Sequence, residues 1–162
     1  MLQDQKKMWR SALALIAVAV ASGPLLAQTP PDRTNFESMG EDRRAIQALL
    51  DTYTRAVSTK DEALFETLLL NTGIPFSDAG SAIQHGSIGG GTQNYKAFRK
   101  GVFAGAPFRQ TFKHISIRQD GPLAQVSLVF VNTDAAGSSS GWKTLELLKI
   151  AGRWKIACEF YT

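Results

Sequence analysis

Apolar positions along this chain first recur at helical spacing and later switch to strict alternation. Ile46, Leu49, Leu50, Tyr53 and Val57 fall at steps of three and four, which predicts a helix over 39–58. Ser38 with Glu41 three residues on has the form of a capping box at its start. Thr59 and Glu62 repeat that form, and Leu64, Phe65, Leu68 and Leu69 line one face of a short second helix, stopped by Asn71 and Gly73. Residues 74–78 read as a short edge strand, where Pro75 is tolerated, 79–81 as a turn and 82–86 as a partner strand. After Gly89, Gly90 and Gly91, Thr92 can cap a third helix carrying Tyr95, Phe98 and Val102, with Gly105 and Pro107 ending it.

Beyond Pro107 the period is two. Residues 112–118 form one strand, and Ala124, Val126, Leu128 and Phe130 alternate along the next. Strands over 142–149 and 153–161 follow, the latter with Trp154, Ile156, Cys158 and Phe160 on one face. Ala151-Gly152 between them is a hairpin signal. A two-residue turn there pairs Ile150 with Arg153 and turns Glu146 away from the Trp154 face. A three-residue turn with a bulge at Gly152 pairs Lys149 with Arg153 and turns Glu146 onto it. Helices first and antiparallel strands afterwards predict an α+β fold in the order α-α-β-β-α-β-β-β-β. A curved antiparallel sheet wrapped over three N-terminal helices makes a cone with a pocket at its open end.

The N-terminal segment has a different character. Lys6, Lys7 and Arg10 precede an apolar stretch over 11–21, and Gly23 and Pro24 break it. That is the layout of a signal peptide, cut after Gly23 or Ala27. The apolar stretch is shorter than the ~20 residues of a membrane span. The expected organisation is a signal peptide over 1–27, a flexible leader over 28–37 and one domain over 38–162. The product is expected to be secreted or periplasmic, with no stable membrane span after processing.

The chain carries a net charge of +4. Residues 1–27 hold Lys6, Lys7 and Arg10 against Asp4, two positive charges net, so the remainder is only +2. Charges of both signs are scattered, with no basic stripe, which argues against nucleic acid as a partner. Cys158 is the sole cysteine, so no internal disulfide is available, and its apolar surroundings read as a buried thiol.

Three stretches carry a family likeness. They are Leu50-Asp51-Thr52-Tyr53-Thr54-Arg55-Ala56-Val57-Ser58-Thr59-Lys60-Asp61, then Phe76-Ser77-Asp78-Ala79-Gly80, then Leu147-Leu148-Lys149-Ile150-Ala151-Gly152-Arg153-Trp154-Lys155-Ile156. With the order of elements, they resemble the nuclear transport factor 2-like, or SnoaL-like, superfamily, which includes ketosteroid isomerase-like and lumazine-binding-like small domains. That fold hosts enzymes, binders and assembly modules alike. By analogy with the isomerases, the resemblance implies Tyr53 as an oxyanion donor, Asp78 as a carboxylate base and Glu146 as a protonated acid, where the isomerases have Asp. Beside each stands a simpler role: a core aromatic for Tyr53, a turn former for Asp78 and a solvated strand residue for Glu146.

Pocket-lining candidates are Tyr53, Phe65, Phe76, His85, Phe98 and Trp154. Two isolated histidines, His85 and His114, make no metal site, and no cofactor is implied. The glycine cluster over 86–92 lacks the lysine of a phosphate loop. The expectation is therefore a pocket for a small apolar or aromatic ligand. Apolar residues on both faces of the 142–150 strand would also allow a homodimer, and an isomerase-like or dehydratase-like enzyme is the catalytic alternative.

Overall fold

The computed structural model describes residues 36–85 and 94–162, with the side chain of His85 outside them. The helices are α1 (Gly40–Thr59), α2 (Glu62–Glu66), α3 (Ala79–His85) and α4 (Tyr95–Phe103). The strands are β1 (Phe76–Asp78), β2 (Arg109–Asp120), β3 (Leu123–Asp134), β4 (Gly137–Ile150) and β5 (Arg153–Tyr161). They form one curved sheet in the order β1-β5-β4-β3-β2.

Helix α1 buries the predicted stripe of Ile46, Leu49, Leu50, Tyr53, Ala56 and Val57. Its N-cap is Met39, which makes no side-chain cap bond. The expected Ser38–Glu41 capping box does not form, because Ser38 is stitched to β2 instead. Its N–H donates to the Ile117 carbonyl, and its hydroxyl donates to Gln119 Oε1 at 2.7 Å. The second capping box is replaced as well. Asp61, not Thr59, caps α2 by accepting the Leu64 N–H. Asn94 caps α4 in the same way, and Thr92 lies outside the described residues.

The predicted partner strand over 82–86 is helical through residue 85 and forms α3. Asp78 Oδ1 accepts the Ser81 N–H at 2.6 Å and so begins a helix where a hairpin turn was expected. Strand β1 finds its partner elsewhere, pairing parallel with β5 through Phe76↔Glu159, Ser77↔Phe160 and Asp78↔Tyr161. The sheet is thus mixed at this edge, while β2 to β5 are antiparallel.

The β4–β5 turn has two residues, with Ile150 paired to Arg153. Ala151 and Gly152 both have positive φ, 48° and 79°, as the tight hairpin turn matching strand twist requires. Further along, Leu147 pairs with Ile156 but Glu146 pairs with Cys158, so Ala157 is a bulge residue without a partner of its own. That extra residue inverts the side-chain phase of β5. Trp154 and Ile156 face the core as expected, but Glu159 and Tyr161 continue that face in place of Cys158 and Phe160. Cys158 is therefore half-buried on the other side, not sealed in the core.

Between α1, α2, α4 and the sheet lies an aromatic core centred on Phe65. Its ring meets Tyr53 at 4.8 Å, Phe103 at 5.4 Å and Phe98 at 5.5 Å between centroids. Each such buried ring contributes about 1.5–3 kcal/mol.

Candidate functional site

The least expected feature of the core is a buried charge pair. Lys143 Nζ lies 2.6 Å from Glu159 Oε1, with the two side chains 3% and 0% exposed. Lys143 also donates to Tyr53 Oη at 2.5 Å, and the Tyr53 hydroxyl donates to Glu159 at 2.9 Å. The three groups close a triangle. Local sequence explains two corners directly: Lys143, Leu145 and Leu147 alternate inward along β4, and Tyr53 lies on the buried stripe of α1. The third corner depends on the Ala157 bulge, which brings Glu159 inward opposite Leu145.

Five aromatic rings surround the Lys143 ammonium. Nζ lies 4.5 Å from the Tyr53 centroid, 5.4 Å from those of Phe130 and Tyr161, 5.7 Å from Phe98 and 5.8 Å from Phe112. All fall within the ~6 Å over which a cation is attracted to a ring face. Lys143 also forms part of the wall of a cavity of ≈ 330 Å³, together with Phe98, Phe130, Tyr161, Gln110 and Asp78. That volume lies within the range of small-molecule sites, roughly 300–1,000 Å³.

The electrostatics of the triangle follow from burial. Removal from water pushes the Glu159 carboxyl up and the Lys143 ammonium down, and their mutual attraction offsets only part of each shift. Both groups are drawn toward their neutral forms. The Tyr53 hydroxyl is pushed well up, by burial and then by the Glu159 charge, so it remains a donor. Tyr161 is raised for the same two reasons. Across the cavity, Gln110 donates from Nε2 to Asn132 Oδ1 at 2.8 Å, but its Oε1 is buried with no hydrogen-bond partner. Among the described residues no group of three His, Cys, Asp or Glu side chains is arranged to hold a metal ion.

The residues singled out from sequence are only partly brought together. Tyr53 is fully buried and meets the cavity through Lys143. Asp78 is at the cavity wall, its Oδ1 occupied by the Ser81 N–H. Glu146 is on the opposite face of the sheet, accepting from Gln125 Nε2 at 2.9 Å. The expected grouping of Tyr53, Asp78 and Glu146 therefore does not assemble, because the two-residue turn sends Glu146 outward. Among the pocket candidates, Phe98 lines the cavity, while Phe65 and Phe76 pack behind it in the core. Trp154 is on β5 opposite Lys149, which is six residues along β4 from Lys143, and it donates to Asp42 at 3.1 Å. The side chain of His85 lies outside the described residues.

Sequence reading passed over Lys143, Glu159 and Gln110. Alternation with Leu145 and Leu147 was a sufficient signal for Lys143. No comparable signal marked Glu159, since the apolar residues Cys158 and Phe160 on either side pointed to the opposite phase.

No known sequence family and no curated protein matches this chain. Solved structures do match. A protein of unknown function from Mycobacterium tuberculosis is 21% identical, with a TM-score of 0.58 over 75% of this chain and 70% of that one. An NTF-2 like protein of unknown function from Shewanella oneidensis MR-1 is 17% identical, with a TM-score of 0.56 over 74% and 98%. The association domain of CaMKII from C. elegans is 19% identical, with a TM-score of 0.55 over 75% and 92%. The chain has the nuclear transport factor 2-like fold. At these identities the likeness is one of fold, and activity must be argued from the site.

Proposed function

We propose that this protein is exported and binds a small apolar or aromatic ligand in the cavity beside Lys143. The observation that carries this reading is the cavity itself: ≈ 330 Å³, with Phe98, Phe130 and Tyr161 on its wall beside polar side chains that include Asp78, Gln110, Asn132 and Lys143. Aromatic side chains that hold the body of a ligand, with polar groups that fix its orientation, are what small-molecule sites share. A thermal-shift and native mass-spectrometry screen with aromatic and apolar compounds tests it. A saturable shift that Ala97→Phe abolishes by filling the cavity supports the reading; the absence of any bound compound overturns it. Export is supported by the charge and apolar pattern of residues 1–27. It is tested by the N-terminal sequence of protein recovered outside the cytoplasm, which is expected to begin after Gly23 or Ala27.

A second reading is self-assembly through the outer sheet face. Trp142 is 55% exposed on β4, and Leu123 and Ile150 are also exposed. One structural neighbour is an association domain. A sedimentation-velocity run that gives a dimer, converted to a monomer by Trp142→Lys, supports it; a monomer at all concentrations removes it.

A further inference from the structure

The geometry points to Lys143 as an amine nucleophile that condenses with a small aromatic aldehyde or ketone in the cavity and holds it as an imine. The inference deepens the ligand-binding reading and rests on it. A lysine 3% exposed is rare in a core, and replacing a buried ion pair with apolar residues often leaves a protein as stable or more so. Stability therefore does not explain why this pair sits on the wall of a cavity. A desolvated lysine in an apolar pocket is a recognised route to an activated amine.

The proton has two seats 2.6 Å apart, on Lys143 and on Glu159. Burial disfavours charge on both groups, so transfer to the carboxylate frees the Nζ lone pair. The amine then attacks the carbonyl carbon. A C–N bond forms, the C–O π bond breaks, and the oxygen takes a proton from the Glu159 carboxyl. The nitrogen returns a proton to the Glu159 carboxylate, giving a neutral carbinolamine. Glu159 next protonates the hydroxyl, water leaves, and an iminium remains with the Glu159 carboxylate beside it. The net change is Lys-NH3⁺ plus carbonyl compound to iminium plus water, with charge conserved. Tyr53, within hydrogen-bond reach of both partners, holds Nζ and the carboxylate in register.

The surroundings select the class of carbonyl compound. Lys143 is already matched by Glu159, and Asp78 adds a negative charge at the wall, so there is no surplus positive charge for an anionic ligand. The rings of Phe98, Phe130 and Tyr161 suit an aromatic body. Gln110 and Asn132, polar side chains on the same wall, suit a ligand hydroxyl. A hydroxylated aromatic aldehyde meets all three conditions.

The test is reductive trapping of the full chain with 4-hydroxybenzaldehyde and cyanoborohydride, followed by peptide mapping. The expected result is Lys143 gaining the mass of the aldehyde less one oxygen, at aldehyde concentrations about tenfold below those that label surface lysines. Lys143→Met, probed in parallel, is expected to lose that adduct and keep surface labelling. Should the variant not fold, Gln110→Leu serves instead. It is expected to keep Lys143 labelling by benzaldehyde and to weaken labelling by the hydroxylated probe about tenfold, the worth of one hydrogen bond. Thermal stabilisation by 4-hydroxybenzyl alcohol, which has the same body and cannot condense, reports binding separately. Stabilisation by the alcohol without preferential Lys143 labelling overturns the nucleophile and leaves the pocket standing. Neither stabilisation nor labelling overturns both.

Discussion

The Tyr53 hydroxyl spans both oxygens of Glu159, at 2.9 and 3.0 Å, and joins the first helix to the last strand through a contact 106 residues apart in sequence. Tyr53→Phe removes that donor and leaves the ring in place. A buried charged acceptor short of one partner is expected to lower stability by about 1–3 kcal/mol in urea unfolding. A change within about 0.5 kcal/mol, as at an ordinary surface site, would mean the triangle is not closed in solution.

The ion pair makes a sharper test because its two halves oppose each other. Glu159→Leu alone strands the Lys143 ammonium in a wall of rings and is expected to cost about 3–5 kcal/mol. Adding Lys143→Met removes the stranded charge, and the double variant is expected to match the wild type or exceed it by about 1–4 kcal/mol. Thermal and urea unfolding at neutral pH of the two singles and the double complete the cycle. A double variant as unstable as the worse single would show that the pair is needed for packing, and would weaken the case for a chemical role.

Asp42, at the start of α1, accepts from Lys149 at 2.7 Å, Gln119 at 2.8 Å and Trp154 at 3.1 Å. These bonds, that to Lys149 foremost, hold its carboxyl below the ordinary carboxylate range. Because the folded pKa is the lower one, the unfolded chain binds more protons in the interval between the two values. The contribution is complete above the unfolded value and is lost as pH falls through the folded one. Asp42→Asn should therefore lose less stability than the wild type between about pH 5 and about pH 2, seen as a smaller fall in urea midpoint. Parallel pH profiles would refute the assignment.

Ala151 occupies the left-handed region at φ 48° in the β4–β5 turn, a conformation that costs an L-residue roughly 1–2 kcal/mol. Ala151→Asn gives the Asn-Gly pair that this turn favours. It is expected to raise stability by about 0.5–2 kcal/mol with no effect on ligand binding, measured by differential scanning calorimetry. Destabilisation would argue for the three-residue alternative.

Much of the architecture was legible because periodicity reports which face is buried. The α1 stripe and the alternation of Ala124, Val126, Leu128 and Phe130 reappear in the core. Capping was less legible, since Ser38, with the form of a cap, found better partners on β2. The parallel pairing of β1 with β5 is a contact between segments more than 80 residues apart, which no local pattern encodes. The site was hardest to read. Lys143 was available from simple alternation with Leu145, but a charged residue is assumed to face water until a partner is known. The partner, Glu159, was hidden behind a bulge, and a shift of one residue reverses every inference made from period two.

The bulge at Ala157 also bears on how such a cavity could diverge. Residues on either side of the insertion are dealt to opposite faces, so its presence sets the chemistry of the wall without altering any side chain. Loss of Ala157 itself would leave a regular ladder with Cys158 still outward and Glu159 still inward, whereas a ladder without the bulge that keeps Ala157 would carry Cys158 and Phe160 inward and Glu159 and Tyr161 out, exchanging a titratable wall for a thiol and a plain ring. Movement of the bulge along such a hairpin, with every side chain kept, would exchange one wall for the other in a single step, where substitution would need several positions changed together.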